Sequence, residues 1–413
     1  MGRHRKPRRR LTGATATFVA VGVSLPCLAG AAALASTLDG SPPGARPGGP
    51  PAGSPPAAAK RTGAAEPSGT SGAKKTPDAK KGGEESPSPR AAMPDMPNKI
   101  RLAPYVAGRP ASTPDLTEVA DRIKVNDLML GRVMGGDGCV AAWLGDLPLG
   151  NASLDERIDD LRGDGGHPII SFGGGGTDLA DVCTNVDDLA ERYGYVIQRY
   201  DLEYVDFELD ARALRGTAGL ERRARAIATE QREAADADRR LVVSLTLPAT
   251  SEGLTADAQE AVRTFDRNGV DVGLVNLVTG ELGDRESAGR PGEAADLAIG
   301  AAEAAVPQLD AIFPGDAADA RRRLGLTSVI GDNAATGAVF YLEDAERLVD
   351  WAKENEVGRL SYRSVGRDRE CGKTDGVTGS AGAPVAGVDA APCSGLEQEP
   401  DAFAKTFHGF LDD

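Results

Sequence analysis

The stretch LEYVDFELDARAL, residues 202–214, places Asp206, Glu208 and Asp210 at every second position of an otherwise apolar run. Alternation of period two is the pattern of a β-strand, whose successive side chains point to opposite faces. Read as a strand, the stretch sends its three acids to one side. Like charges at that spacing raise one another's pKa and cost stability. Such a cluster needs either a function or an ancestor that had one.

Seven similar runs flank it: RLAPYVA (101–107), DLMLGRVM (127–134), HPIISFGG (167–174), RLVVSLTLP (240–248), VDVGLVNLV (270–278), LGLTSVIG (324–331) and GRLSYRSV (358–365). Between most of them lie amphipathic, helix-like segments such as NVDDLAERYGYVIQRY (185–200) and LEDAERLVDWAKENEV (342–357). Strands alternating with helices signal parallel βα units, and eight repeats are what a closed (β/α)₈ TIM barrel needs. A doubly wound open sheet is the alternative, but its glycine-rich dinucleotide turn is missing. SFGGGGTDLAD (171–181) has neither G-x-G-x-x-G with a following acid nor the G-K-[ST] of a phosphate loop, and reads as a tight turn at a strand end.

The expected barrel occupies residues 99–413. Ahead of it, MGRHRKPRRR is followed by an uncharged run to Ser36, with an A-x-A site ending at Ala35. Residues 1–36 therefore read as a secretory signal peptide or an N-terminal membrane anchor. Residues 37–98, rich in Pro, Gly, Ala, Ser and Lys, bury too little apolar surface to fold and read as a disordered linker. Together they predict an extracellular protein, released or tethered to the outer face of the membrane. The net charge of −15 is split: 14 basic and 6 acidic residues precede residue 96, which leaves about −23 beyond it. A body that acidic excludes nucleic acid as a partner.

Four of the five cysteines, Cys139, Cys183, Cys371 and Cys393, form an even set in the exported part, as two disulfides would require. Three pairings are open, Cys139–Cys183 with Cys371–Cys393 being favoured over the others and over four buried thiols. The three histidines, His4, His167 and His408, are scattered, which disfavours a zinc site or a Ser-His-Asp hydrolase. No EF-hand spacing is present, and no metal or cofactor is expected.

Strand by strand, residues 102–371 resemble glycoside hydrolase family 18, the chitinase-type barrels. APYV (103–106) resembles the family's first strand and GCVAAW (138–143) its Gly-Cys-x-x-x-Trp loop. IISFGG (169–174) resembles its S-x-G-G motif, SLTLP (244–248) its fifth strand, LVNLV (274–278) its sixth, GLTSVIG (325–331) its seventh and GRLSYRSVGRDREC (358–371) its eighth. The family's fourth strand carries D-x-x-D-x-D-x-E, where this chain has Glu203, Asp206, Glu208 and Asp210. The resemblance implies a substrate-assisted, retaining mechanism in which position 210 holds the general acid and position 208 orients the substrate's N-acetyl group, whose oxygen attacks the anomeric carbon.

The two side chains have exchanged lengths relative to that motif. Aspartate reaches about 1.5 Å less far than glutamate, and a misplacement of about 1 Å can cost roughly a hundredfold in rate. Where the family's sixth strand continues into M-x-M-D-Y, this chain has Gly280, Glu281 and Leu282, without the tyrosine hydroxyl. Where the eighth strand ends in a sugar-stacking Trp, it has Arg363. Aromatics make up 4% of the chain with two tryptophans, little stacking surface for crystalline chitin.

The resemblance predicts Asp206, Glu208 and Asp210 as catalytic-site residues. Glu281, Asn276, Arg363, Tyr105 and Trp143, the last near the barrel mouth, are expected to bind substrate. Five of them have plainer readings: a repurposed interior or strand edge for the three acids, a loop charge for Glu281, and an ion pair with the buried acids for Arg363. Trp351 reads as core. The expected function is binding of chito-oligosaccharide, chitin or another N-acetylhexosamine glycan, with hydrolysis weak or lost. An active chitinase or endo-N-acetylglucosaminidase using Asp210 as acid, and a structural module without a sugar site, are the alternatives.

Overall fold

The computed structural model describes residues 99–107, 113–372 and 392–412, so the expected signal or anchor (1–36) and linker (37–98) lie outside the described residues. All eight apolar runs form strands: β1 (Tyr105–Ala107), β2 (Leu128–Gly135), β3 (Pro168–Gly173), β4 (Tyr204–Glu208), β5 (Val242–Thr250), β6 (Val272–Val278), β7 (Leu324–Val329) and β8 (Arg359–Arg363). Helices alternate with them: α1 (Leu116–Ile123), α2 (Ala152–Gly163), α3 (Val186–Arg199), α4 (Thr217–Asp236), α5 (Ala256–Arg267), α6 (Glu293–Asp310), α7 (Leu342–Glu354) and α8 (Ala402–His408).

Local chemistry explains where the helices begin. Asp115 accepts from the backbone N–H groups of Thr117 and Glu118 to start α1, and Asn185 does the same for Asp187 and Asp188 at α3. Such side chains satisfy donors that have no partner within the helix. Helix α3 then buries Leu189, Ala190, Tyr193, Val196 and Ile197, one stripe at helical spacing.

Each strand is parallel to its neighbour from β1 through β8. The ring closes beside β1, where Leu102 bridges Leu360. There Ala103 N donates to Leu360 O (3.0 Å) and Leu360 N donates to Arg101 O (2.7 Å). Closure rules out the open sheet and makes a (β/α)₈ barrel.

Alternation along the strands separates two chemistries. Outward residues are apolar and meet the helices: Phe172 of β3 and Phe207 of β4 stack at 5.3 Å and both pack edge-on against Tyr193 of α3. Inward residues at the amino-terminal end form an apolar plug of Tyr105, Met129, Ile169, Tyr204 and Val242. Above the plug the interior turns polar, which is where the site begins.

Both disulfides are the favoured pairs, Cys139–Cys183 and Cys371–Cys393. The first spans 44 residues and, in the chain-entropy account, stabilises by about 4 kcal/mol. Trp351 on α7 is half-buried against the core. No helix among the described residues is long and apolar enough to cross a membrane.

Candidate active site

The registers Ser171–Asp206 and Asp206–Ser244 bring three inward side chains to one level inside the barrel. Asp206 is wholly buried. Its Oδ2 accepts from Ser171 Oγ (2.8 Å), and its Oδ1 accepts from Ser244 Oγ (2.6 Å) and Thr246 Oγ1 (2.8 Å). Asn276 on β6 extends the network, donating from Nδ2 to Thr246 Oγ1 (3.1 Å) and Thr327 Oγ1 (2.7 Å). Burial pushes the Asp206 carboxyl up; Arg359 and the three hydroxyls pull against it without winning.

One pleat nearer the carboxyl end, Glu208 accepts from Arg363 Nη2 (2.7 Å) and Arg132 Nε (3.3 Å). Burial alone would raise its carboxyl, but the Arg363 and Arg132 guanidiniums outweigh burial and hold it below the ordinary range. The Arg363 guanidinium lies 4.3 Å from the centre of the Tyr105 ring and is 1% exposed. Tyr105 itself is buried, which pushes its hydroxyl up to about 12. Each arginine adjoins a cis peptide bond, Gly131–Arg132 and Arg363–Ser364.

Arg132 was not among the expected site residues. Strand β2 pairs Gly131 with Ser171 but Val133 with Phe172, so Arg132 is an extra residue in a bulge. A bulge re-aims the side chain it carries, here toward Glu208. The signal in the sequence is the lone basic residue within DLMLGRVM. The glycines after β3 have a related reason. A Cβ on Gly174 would lie 2.6 Å from Arg132 Nε and 2.7 Å from Glu208 Cδ, and Gly174 N donates to Glu208 O (2.8 Å). Only a residue without a side chain fits so close to the ion pair.

Other expected residues fall elsewhere. The pairing of β4 ends at Glu208, so strand alternation does not carry through to Asp210. Asp210 instead caps the short helix Ala211–Arg215, its Oδ1 accepting from Arg212 N (3.0 Å) and Ala213 N (2.8 Å). It is half-buried and borders a small recess shared with Gly174, Asp178 and Arg212. Trp143, expected near the mouth, lies in the strand Ala141–Trp143, which folds back antiparallel on β2. It is fully buried and donates from Nε1 to Tyr200 OH (3.2 Å). Glu281 is exposed on the turn after β6, outside the interior network. The preceding Gly280 packs on Val329, where a Cβ would come within 2.3 Å of Val329 Cγ2.

The interior thus offers hydroxyls, an amide and an ion-paired carboxylate. A carboxylate held ionised by two guanidiniums is a poor proton donor at neutral pH.

Comparison with known proteins agrees with the architecture. No family model matches the chain. It is similar to a probable bifunctional chitinase/lysozyme of Escherichia coli (strain K12), 28% identical over 288 residues, which cover 68% of this chain and 32% of that protein. It is also similar to endochitinase 11 of Metarhizium anisopliae, 28% identical over 289 residues, covering 68% of this chain and 54% of that one. The chain therefore spans about a third and about half of the lengths of these curated relatives. Among solved structures, the catalytic domain of the hyperthermophilic chitinase from Pyrococcus furiosus superposes with a TM-score of 0.62 at 28% identity, covering 76% of this chain and 97% of that one. Catalytic-site mutants of active domain 2 of that organism's chitinase, complexed with chito-oligosaccharides, match to the same extent. By sequence and by structure the chain has chitinases as homologues, and its barrel is a glycoside hydrolase family 18 chitinase-like fold.

Proposed function

We propose that the chain is an extracytoplasmic chitinase-like protein that binds N-acetylhexosamine glycans in its barrel mouth and hydrolyses them weakly or not at all. The observation that carries this reading is the engagement of both carboxylates that would do the chemistry. Glu208 is clamped by Arg363 and Arg132, and Asp210 is a helix cap one C–C bond shorter than the glutamate of the family motif. Glycan binding is supported by the Pyrococcus furiosus domain, solved with chito-oligosaccharides, and by the names of the Escherichia coli and Metarhizium relatives. The basic, then uncharged, N-terminus and the Pro/Gly/Ala-rich stretch after it support placement outside the cell on a stalk, released or membrane-tethered.

Binding is tested by thermal unfolding with tetra-N-acetylchitotetraose. A ligand that binds only the folded state stabilises by about 2.7 kcal/mol at a hundred times Kd, which raises Tm by about 4 °C for a domain of roughly 300 residues. The same rise is expected here. An unchanged Tm at millimolar sugar would favour a structural module with no sugar site.

A further inference from the structure

Helices α3 and α4 lie side by side. The buried face of α4 is largely apolar, with Leu220, Ala224, Ile227 and Ala234, but it also carries Glu230, which is 7% exposed. The residue that meets Glu230 from α3 is Gly194. A Cβ there would lie 2.6 Å from Glu230 Oε2 and 3.0 Å from its Cδ and Oε1. The carboxyl thus fills the notch that a missing side chain leaves. Glycine weakens a helix interior, and this close approach is the reason for one here.

Nothing in the interface is arranged to hold a charge. Among the described residues, no hydrogen bond or ion pair reaches the Glu230 carboxylate. The cations of both helices are engaged elsewhere. On α4, Arg223 pairs with Asp178 (2.6 Å), Arg222 donates to Ala180 O (2.7 Å), Arg232 donates to Thr229 Oγ1 (3.0 Å), and Arg225 is exposed. On α3, Arg192 pairs with Glu191 (3.2 Å) and Arg199 with Asp155 of α2. The other acids of the two helices, Glu221 and Asp236 of α4 and Asp187, Asp188 and Glu191 of α3, are exposed. Only Glu233, less than a turn away, acts on Glu230, and it opposes ionisation. Burial and this neighbour push the carboxyl up to about 7.

We propose that Glu230 is a proton-operated clasp between α3 and α4: neutral, it seats in the Gly194 notch, and ionised, it leaves the notch and the two helices loosen. A carboxyl raised on folding contributes stability that is fully present below its unfolded pKa and lost as pH rises through the folded one. The clasp therefore holds in mild acid and weakens between pH 4.5 and about 7. Its effect reaches the barrel mouth through Arg223, two turns before Glu230. Asp178, the partner of Arg223, also accepts from Ala180 N and starts the short helix Leu179–Val182 beside the recess at Asp210.

The test is amide hydrogen exchange of the full chain at pH 5.5 and 7.5, corrected for the intrinsic pH dependence of exchange and read on residues 189–198 and 224–234. In the wild type the corrected rate is expected to rise about tenfold between the two pH values. The rise should vanish in Glu230→Gln and Glu230→Leu, which have no charge to expel. It should also shrink in Gly194→Ala, which keeps the carboxyl but displaces it from the notch. The readout is the change with pH, so a constant destabilisation of any variant does not mimic it. No rise in the wild type would overturn the proposal whether or not the variants fold. A rise that persists in both Glu230 variants would overturn it as well, by assigning the proton to another group.

Discussion

Replacing Arg363 by methionine is expected to destabilise the folded chain by about 3–5 kcal/mol at pH 7, the usual cost of removing one partner from a buried ion pair. Methionine keeps much of the apolar contact with Tyr105, so the loss reports chiefly on charge. In the wild type the guanidiniums hold the Glu208 carboxyl below its ordinary value of 4.5. A carboxyl lowered on folding contributes stability that is present above its unfolded pKa and lost as pH falls through the folded one. Without Arg363, burial dominates and raises the carboxyl, so Glu208 then opposes folding most strongly at neutral pH. The deficit of the variant should therefore shrink as pH is lowered from 7 to 4. Adding Glu208→Gln should recover most of it at pH 7, because the uncompensated charge is gone. Urea unfolding of the three proteins at both pH values provides the check, and a deficit below about 1 kcal/mol at pH 7 would contradict a buried, charged pair.

The second large effect is catalytic. Exchanging the lengths back, Glu208→Asp with Asp210→Glu, is expected to raise turnover of a fluorogenic di-N-acetylchitobioside by about tenfold to a hundredfold over the wild type. A well-placed general acid contributes about 10²–10⁴-fold, and recovery should be partial because Leu282 stands where the family has a tyrosine. The exchange has a structural cost. Asp210 caps the helix Ala211–Arg215 through Arg212 N and Ala213 N, and glutamate is not among the preferred caps, so about 1 kcal/mol should be lost. Asp210→Glu alone should give a smaller gain, since Glu208 would still be held by Arg363. Turnover unchanged in the double variant would mean that side-chain length is not what limits the site.

The barrel was legible because its strands are short apolar runs covered on both faces, and such runs stand out between Ala/Arg/Glu-rich helices. The ion pair of Arg363 with a β4 acid was legible for a similar reason: buried carboxylates need a cation, and Arg363 is an inward residue on another strand. The placement of three residues escaped because strand geometry stops or shifts at the carboxyl end. Alternation read through to Asp210 assumes a strand that continues to that residue, whereas it ends at Glu208. Arg132 depends on a bulge that breaks the period of two, and Trp143 on a hairpin that folds back along β2 instead of reaching the mouth. Hydroxyls at Ser171, Ser244, Thr246 and Thr327 were visible within the strands, but their convergence on Asp206 and Asn276 depends on the registers between strands.

The most direct test of a binding barrel with weakened chemistry is hydrolysis of the same fluorogenic di-N-acetylchitobioside by the full chain, beside its Asp210→Asn variant. Turnover indistinguishable from buffer, or only marginally above it in both proteins, is the predicted result. Turnover well above buffer that disappears in Asp210→Asn would contradict it and make Asp210 the working acid of an active hydrolase.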